Sequence, residues 1–572
     1  MRTLITSLNS KYIHSCLAAW YLKSYCGNNC GEIDVFEATV NEPLDNILRA
    51  IYAKKPDVAA FPCYIWNIEY VYKLCENIKK VLPQTVIVLG GPEVSYDSPE
   101  VLKANKNIDY IIGGEGEIAF RNLIEGLSKE EKPDESYIKG IAVSNPDNIP
   151  SPYSSQMLES TKNKILYFES QRGCPFNCSY CLSSVSEGVR YFSLDRVKRD
   201  LKKLIDEKTE QIKFVDRTFN CNKERAKDIF KYIIENNKES RFHFEVAADL
   251  FDDEMFYILK DAPIGLIQLE IGIQTLNETV LDLIKRKTDS KAVLANIKKL
   301  LELKNIHIHV DLIAGLPEED FKSFENSFNS VYNLKPHMLQ LGFLKMLKGT
   351  SIRSEAKKYD YKYKSFPPYE VLSNSSVSFS EISILKEIEE LVERFYNSGR
   401  FVLSTNYIID NYFSSPFEFY MSLRNYMLQQ EFYKKAVPVK TLYAMLMEFV
   451  KTIDVADIEL VNELLKIDFL SSDKSGRLPE CITGNTEKDL NQCSFDFLNN
   501  QEKVSEYLPE VLGIKAKEAI KYLHFERFNH KLDEMTGKYE KEENVTIFNY
   551  RDRNFVTGLY NSVLINIREF RK

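Results

Sequence analysis

Three cysteines lie close together in Arg172-Gly-Cys174-Pro-Phe-Asn-Cys178-Ser-Tyr-Cys181, with three and then two residues between them. Thiolates at that spacing on one tight loop can hold three irons of a four-iron cluster, leaving the fourth iron open to a ligand that is not protein. Gly173 permits unusual backbone angles and Pro175 fixes its φ, and both suit a loop wrapped around an inorganic core. The alternative is a structural zinc site. Zinc wants four protein ligands, and neither flank of this loop supplies a nearby fourth Cys or His. Cys26 and Cys30, also three residues apart, fall in the turn Cys-Gly-Asn-Asn-Cys-Gly and read as loop thiols. Cys221 reads as an inert thiol. His524 and His530 are not spaced to share a helical face as a metal pair would.

Other groups able to do chemistry sit where apolar runs end. From Ile165, strand-like runs are expected at Ile165–Ser170, Gln211–Asp216, Phe242–Ala247, Leu266–Gly272, His307–Ile313 and Met338–Leu344, separated by helical patterns. Asp216, Arg217, Asn220, Glu245, Glu270, Gln274 and Asp311 mark these strands or their ends. Burying an unpaired carboxylate is costly, so each needs a base or a hydroxyl-rich ligand beside it. Before them, residues 1–127 alternate short apolar runs with helical patterns five times: Leu4–Leu8, Ile33–Val40, Val58–Cys63, Val86–Gly90 and Ile108–Ile112. Five βα units make a doubly wound parallel sheet whose ligands sit beyond the strand carboxyl ends. The loops there contain Gly90-Gly91-Pro92-Glu93 and Gly113-Gly114-Glu115-Gly116-Glu117, glycines suited to close approach of backbone to a bulky ligand.

The cysteine loop, with aromatic Tyr180 before its last cysteine, resembles the radical S-adenosylmethionine (AdoMet) superfamily. The sheet in front of it resembles the cobalamin (B12)-binding domain found at the front of many of those enzymes. The resemblance implies a [4Fe-4S] cluster on Cys174, Cys178 and Cys181. It implies AdoMet contacts from Tyr180, Asp216, Glu245, Glu270, Gln274 and Ile313. For cobalamin it implies contacts from Asn9, Tyr12, His14, Tyr64, Gly90, Gly91, Pro92, Glu93, Gly114, Glu115, Gly116 and Glu117. Two departures from the family pattern stand out. The Asp-x-His-x-x-Gly motif that carries the lower cobalt ligand is replaced by Asn9-Ser-Lys-Tyr-Ile-His14-Ser, so cobalamin is expected without a protein imidazole on cobalt. The Gly-Gly-Glu after the second barrel strand is replaced by Asp216-Arg-Thr-Phe-Asn220.

The expected architecture is α/β. A B12-type doubly wound sheet spans 1–127, a linker 128–160, a partial (β/α)6 radical AdoMet barrel 161–349, and a mainly helical domain 350–572. The last resembles the uncharacterised helical domain that accompanies some cobalamin-dependent radical AdoMet proteins. Within the linker, Ile141–Val143 reads as a short edge strand, and Asn485–Lys503 reads as a loop. The aromatics Phe401, Tyr407, Tyr412, Phe413, Phe417, Phe419, Tyr420 and Tyr426 read as core.

The implied function is methylation of an unactivated carbon of an unidentified substrate, through a 5′-deoxyadenosyl radical and methylcobalamin. The alternatives are a cobalamin-assisted rearrangement, cyclisation or reduction, and a cofactor-binding sensor without turnover. The implied partners are a small-molecule substrate and an electron donor such as flavodoxin or ferredoxin. A net charge of −8 over 572 residues argues against a nucleic-acid-coating surface. The lack of a long apolar stretch argues against a membrane span. Eleven cysteines, an odd number, fit a reducing compartment, and a cytoplasmic protein is expected.

Overall fold

The computed structural model describes residues 1–185, 188–237, 239–474, 477–484, 488–532 and 538–571. Its first six strands are β1 (Arg2–Asn9), β2 (Glu32–Thr39), β3 (Val58–Pro62), β4 (Val86–Gly90), β5 (Tyr110–Gly113) and β6 (Tyr137–Lys139). They form one sheet in the order β2-β1-β3-β4-β5-β6, paired parallel throughout. Successive residues point to opposite faces. Leu4, Ala59, Phe61, Ile87, Leu89 and Ile111 enter one buried cluster, while Ile5, Val58, Ala60, Val88 and Ile112 enter another. Apolar residues on both faces are what a sheet sandwiched between helices requires, which explains why these strands read as continuous apolar runs. The order reverses between β1 and β3, and buried Asn67 bridges that point, donating to Leu8 O (3.1 Å) and Pro62 O (3.0 Å). The linker does add an edge strand, but at Tyr137–Lys139 rather than at Ile141–Val143.

The second sheet contains β7 (Leu166–Phe168), β10 (Gln211–Phe214), β11 (Arg241–Val246), β12 (Ile267–Gln274), β13 (His307–Ala314) and β14 (Met338–Phe343), in the order β14-β13-β12-β11-β10-β7. Its end strands β7 and β14 do not pair, so the sheet is open. Here the strands alternate instead. In β12, Ile267, Leu269, Ile271 and Ile273 are buried while Gln268, Glu270, Gly272 and Gln274 are only half-buried. Phe214, Phe219, Phe230 and Phe244 pack ring against ring on one side, with centroids 4.5–5.3 Å apart. Lys213, His243, Glu245 and Glu270 occupy the alternate positions. A short antiparallel hairpin, β8 (Gln171–Gly173) with β9 (Val189–Tyr191), brackets the cysteine loop.

The chain divides into two compact units, 1–306 with 313–323 and 342–379, and 307–312 with 324–341 and 380–572. The first includes the hairpin β15 (Lys362–Tyr363) with β16 (Val371–Ser373). The second is mainly helical through residue 519. Of the segment Asn485–Lys503, expected as loop, residues 488–499 and 501–503 instead lie in the helices Lys488–Asn499 and Gln501–Tyr507, and positions 485–487 lie outside the described residues. The unit closes on an antiparallel sheet, β17 (Leu523–Leu532), β18 (Tyr539–Arg553) and β19 (Tyr560–Asn566). Phe401, Phe417, Phe419 and Tyr420 are buried in its core. His530 is held by Glu463 at 2.9 Å, a structural pair.

Candidate active site

A cavity of about 700 Å³ opens beyond the carboxyl ends of β1, β3, β4 and β5, around the point where strand order reverses. Asn9, Ser10 and His14 line it after β1, Pro62, Tyr64 and Trp66 after β3, Gly90 and Gly91 after β4, and Gly114 to Glu117 after β5. Its far wall comes from the second sheet, the loops after β7 and β10, and the hairpin strand β8: Tyr167, Glu169, Arg172, Lys213, Val215, Arg217 and Glu245. One cavity therefore touches both sets of strand ends.

Several walls are rigid for identifiable reasons. Gly91 has φ +104, and a Cβ there would stand 2.6 Å from Cys63 O, so backbone alone can follow this path. The Tyr64 ring stacks on Trp66, with centroids 4.5 Å apart and planes 8° apart, while Trp66 Nε1 donates to Leu8 O. Asn9 accepts from Ser7 Oγ at 2.8 Å and donates to His14 O at 2.9 Å, which ties the β1 loop to its strand. His14 Nδ1 lies 2.8 Å from the Tyr167 hydroxyl. Burial, with Lys11 and Lys213 nearby, holds this imidazole below its ordinary pKa.

Glu115 and Glu117 line the cavity but are ion-paired. Arg172 Nη2 meets Glu117 at 2.7 Å, Nη1 meets Glu115 at 3.1 Å, and Nε meets Glu169 at 3.0 Å, while Arg190 also pairs with Glu115. Three expected cobalamin residues do not reach the cavity. Tyr12 is exposed, with Lys164 over its ring, and Pro92 starts a short helix. Glu93 is buried and accepts from the Tyr369 hydroxyl at 2.8 Å.

The cysteine loop is shaped from both sides. At Gly173, φ is +91, and a Cβ would collide with the Gly188 carbonyl oxygen across the hairpin. Each thiol has a polar neighbour. Cys174 Sγ is 3.6 Å from Thr218 Oγ1, Cys181 Sγ accepts from Ser183 N at 3.4 Å, and Cys178 Sγ accepts from Arg286 Nη1 at 3.9 Å. Arg286 also donates to Tyr180 Oη at 3.3 Å and to Gly272 O, and its Nε meets no partner among the described residues.

The expected AdoMet residues divide. Glu245 faces the cavity, 4.0 Å from Arg217. Glu270 accepts from Lys213 Nζ at 3.2 Å and lies 2.7 Å from His243 Nε2. Gln274 has φ +71, and its side chain occupies the space a Cβ on Gly272 would need. Ile313 and Tyr180 pack against the buried cluster of Val280, Ile284 and Leu344. Asp216 is consumed locally. It is fully buried and accepts from Ser170 N, Ser170 Oγ and Gln171 N, and burial pushes its pKa up to about 7. Asn220 closes a reciprocal pair with the Ala247 backbone.

Residues 4–124 match the B12 binding domain family model, and residues 168–331 match that of the Radical SAM superfamily. The chain thus joins a B12-binding domain to a radical SAM domain, the combination of the cobalamin-dependent radical S-adenosylmethionine family. Residues 357–548 match a third model, a protein family of unknown function (DUF4080). The cobalamin-dependent radical SAM methyltransferase TokK of Streptomyces tokunonensis is 27% identical over 342 residues, 54% of this chain and 49% of the relative. The chain spans about half the length of the curated relatives it matches. The fold is shared with the cobalamin-dependent radical enzyme OxsB (TM-score 0.60, 13% identity, 86% of this chain and 83% of that one). It is shared also with the methyltransferase TsrM of Kitasatospora setae (TM-score 0.53, 14% identity, 64% and 78%).

The family's cofactors are a [4Fe-4S] cluster, AdoMet and cobalamin, and the residues present fit them. Three unbridged thiols with polar neighbours suit cluster ligation, since such contacts tune cluster sulfurs. The cavity's glycine backbone suits a bulky ring. Arg286, buried beside Cys178 with Nε unpaired, suits an anionic group at the open side of the loop.

Membership was legible in the cysteines, but Tyr167, Lys213, Trp66 and Arg286 were missed. Lys213 had a signal, since it alternates with apolar Ile212 and Phe214 in one strand and so points to the opposite face. Arg286 had none. It reaches Cys178 from more than a hundred residues away.

Proposed function

We propose that the chain is a radical AdoMet enzyme that methylates an unactivated carbon of a small molecule. Cys174, Cys178 and Cys181 would hold the cluster. Glu245, Glu270, Gln274 and Arg286 would hold AdoMet, and the loops after β1, β3, β4 and β5 would hold cobalamin. When bound, these groups supply one-electron chemistry for hydrogen abstraction and a transferable methyl group. The observation that carries the reading is the single cavity lined from one side by Tyr64, Gly91 and Gly114 and from the other by Tyr167, Lys213 and Glu245. A substrate enclosed there meets both cofactors while water is excluded.

The protein's own part is placement. Arg172 and its three carboxylates hold the cysteine hairpin against the β5 loop. Lys213 and His243 compensate Glu270, which would otherwise be a costly half-buried charge. The divisions 1–127, 128–160, 161–349 and 350–572 are read as cobalamin domain, linker, barrel and a mainly helical C-terminal domain. Free cysteines such as Cys63 and Cys75 support a reducing, cytoplasmic setting. Among the described residues, no helix is long and apolar enough to cross a membrane.

The test is anaerobic. Reconstituted protein receives AdoMet with a deuterated methyl group, cobalamin, reductant and cell extract, and products are read by mass. Methylation predicts 5′-deoxyadenosine and S-adenosylhomocysteine in about equal amounts, one AdoMet being used for each role. Deoxyadenosine without S-adenosylhomocysteine or labelled product favours rearrangement, cyclisation or reduction. Neither product, with cofactors loaded, favours a sensor.

A further inference from the structure

We infer that Lys285, Lys287 and Lys357 form the docking surface for a small acidic carrier protein that delivers single electrons to the cysteine-loop centre. The inference rests on the cluster reading above, because only a redox centre there requires a carrier.

Two segments wrap the loop from outside. Ser179, which follows Cys178, donates its N–H to Ile284 O at 2.9 Å and accepts at its carbonyl from Ile352 N at 3.0 Å and Ser351 Oγ at 3.3 Å. The Arg286 side chain spans from the first segment to within 3.9 Å of Cys178 Sγ. Its neighbours Lys285 and Lys287 are exposed, as is Lys357 on the second segment. Ile284, Ile352, Ala356 and Tyr180 share one apolar cluster, which binds both segments and the cysteine loop into a single body.

The charge there runs against that of the whole chain. Segments 282–289 and 351–358 carry Lys285, Arg286, Lys287, Arg353, Lys357 and Lys358 against Asp282, Asp289 and Glu355, in a chain of net charge −8. Asp289 is spent on the N–H groups of Lys291 and Ala292, and Glu355 faces Lys358. Lys285, Lys287 and Lys357 make no ion pair among the described residues, as is also true of exposed Lys55, Lys103 and Lys106, from which they differ in lying on two segments bonded to Ser179. Unpaired like charges repel one another, and an acidic partner would relieve that repulsion and be steered in by it.

Access points the same way. Arg172 lines the cavity but none of the three cysteines does, so a protein-sized donor need not pass through it to reach the loop. The step itself balances simply. The reduced carrier loses one electron, the cluster gains it, and no bond or proton changes place.

The experiment uses reconstituted full-length protein and reads cluster bleaching by anaerobic stopped flow, with flavodoxin hydroquinone as one reductant and dithionite as the other. For K285E/K287E/K357E, the flavodoxin rate is expected to fall at least about tenfold at low salt. The gap should close toward about 1 M salt, where screening is within about 3 Å. Dithionite reduction and iron content should stay at wild-type values. K285Q/K287Q/K357Q should give a smaller loss in the same direction and covers any misfolding of the reversed variant. Control reversals at Lys55, Lys103 and Lys106, exposed lysines at the opposite strand ends of the first sheet, should leave all rates unchanged. A loaded patch variant reduced by flavodoxin as fast as wild type overturns the surface alone. A wild-type protein that takes up no iron overturns the cluster reading and the surface with it.

Discussion

Arg172 Nη2 lies 2.7 Å from Glu117 Oε1, joining the residue just before the cysteine loop to the helix that follows β5 of the first sheet. Both side chains are largely buried, and Glu169 and Glu115 complete the guanidinium's surroundings. Arg172→Ala strands Glu117 and Glu169 in the interior, while Glu115 keeps Arg190. The substitution is expected to lower unfolding stability by about 3 kcal/mol or more. Cobalamin affinity, measured by titration of the reconstituted protein, should weaken along with it. Wild-type stability and affinity in Arg172→Ala would refute the clamp.

Asp216 offers a second test, since it holds the end of β7 through Ser170 and Gln171 rather than pointing at the cavity. Asp216→Ala leaves two backbone donors unmet and should cost about 2–5 kcal/mol. Iron bound per chain should drop because the hairpin strand β8 begins at Gln171. If iron stays full and only AdoMet binding falls, Asp216 is a ligand residue after all.

Glu319 predicts a pH dependence. Its Oε1 accepts from Thr275 Oγ1 and its Oε2 meets no partner among the described residues; burial pushes its pKa up to about 7. The folded state therefore holds a proton that the unfolded chain releases near pH 4.5. That contribution to stability is present in full below about pH 4.5 and is lost as pH rises through about 7. Denaturant midpoints should fall from pH 5 to pH 8 in the wild type and show less of that slope in Glu319→Gln. Identical slopes would reject the assignment.

His14 is committed to Tyr167, its ring close to parallel at 26° and its backbone bridged to Ile165. Electron paramagnetic resonance of the cobalt(II) form is expected to show no nitrogen splitting that depends on this residue. A splitting that disappears in His14→Ala would make it the lower ligand.

What the chain's order of residues determined by itself was local or periodic. Cys174, Cys178 and Cys181 announce their chemistry because all three ligands fit on one loop, so spacing alone carries the information. The first sheet's strands were legible because helices cover both faces and every residue of a run such as Val58–Phe61 must be apolar. The second sheet was legible through the opposite pattern, alternation, with polar groups kept for one face.

Tertiary structure decided the rest, because it concerns partners far apart in sequence. Glu93 and Glu115 look alike, each a carboxylate within two residues of a glycine after a strand, yet one is buried against Tyr369 and the other faces the cavity under Arg172 and Arg190. Asp216 reads as a ligand until Ser170 and Gln171 take its oxygens. The 488–507 helices and the closing sheet from Leu523 were hidden for a related reason. Their buried residues, Phe497, Val504, Phe525 and Val545, form one small core whose apolar faces become complete only when the segments meet.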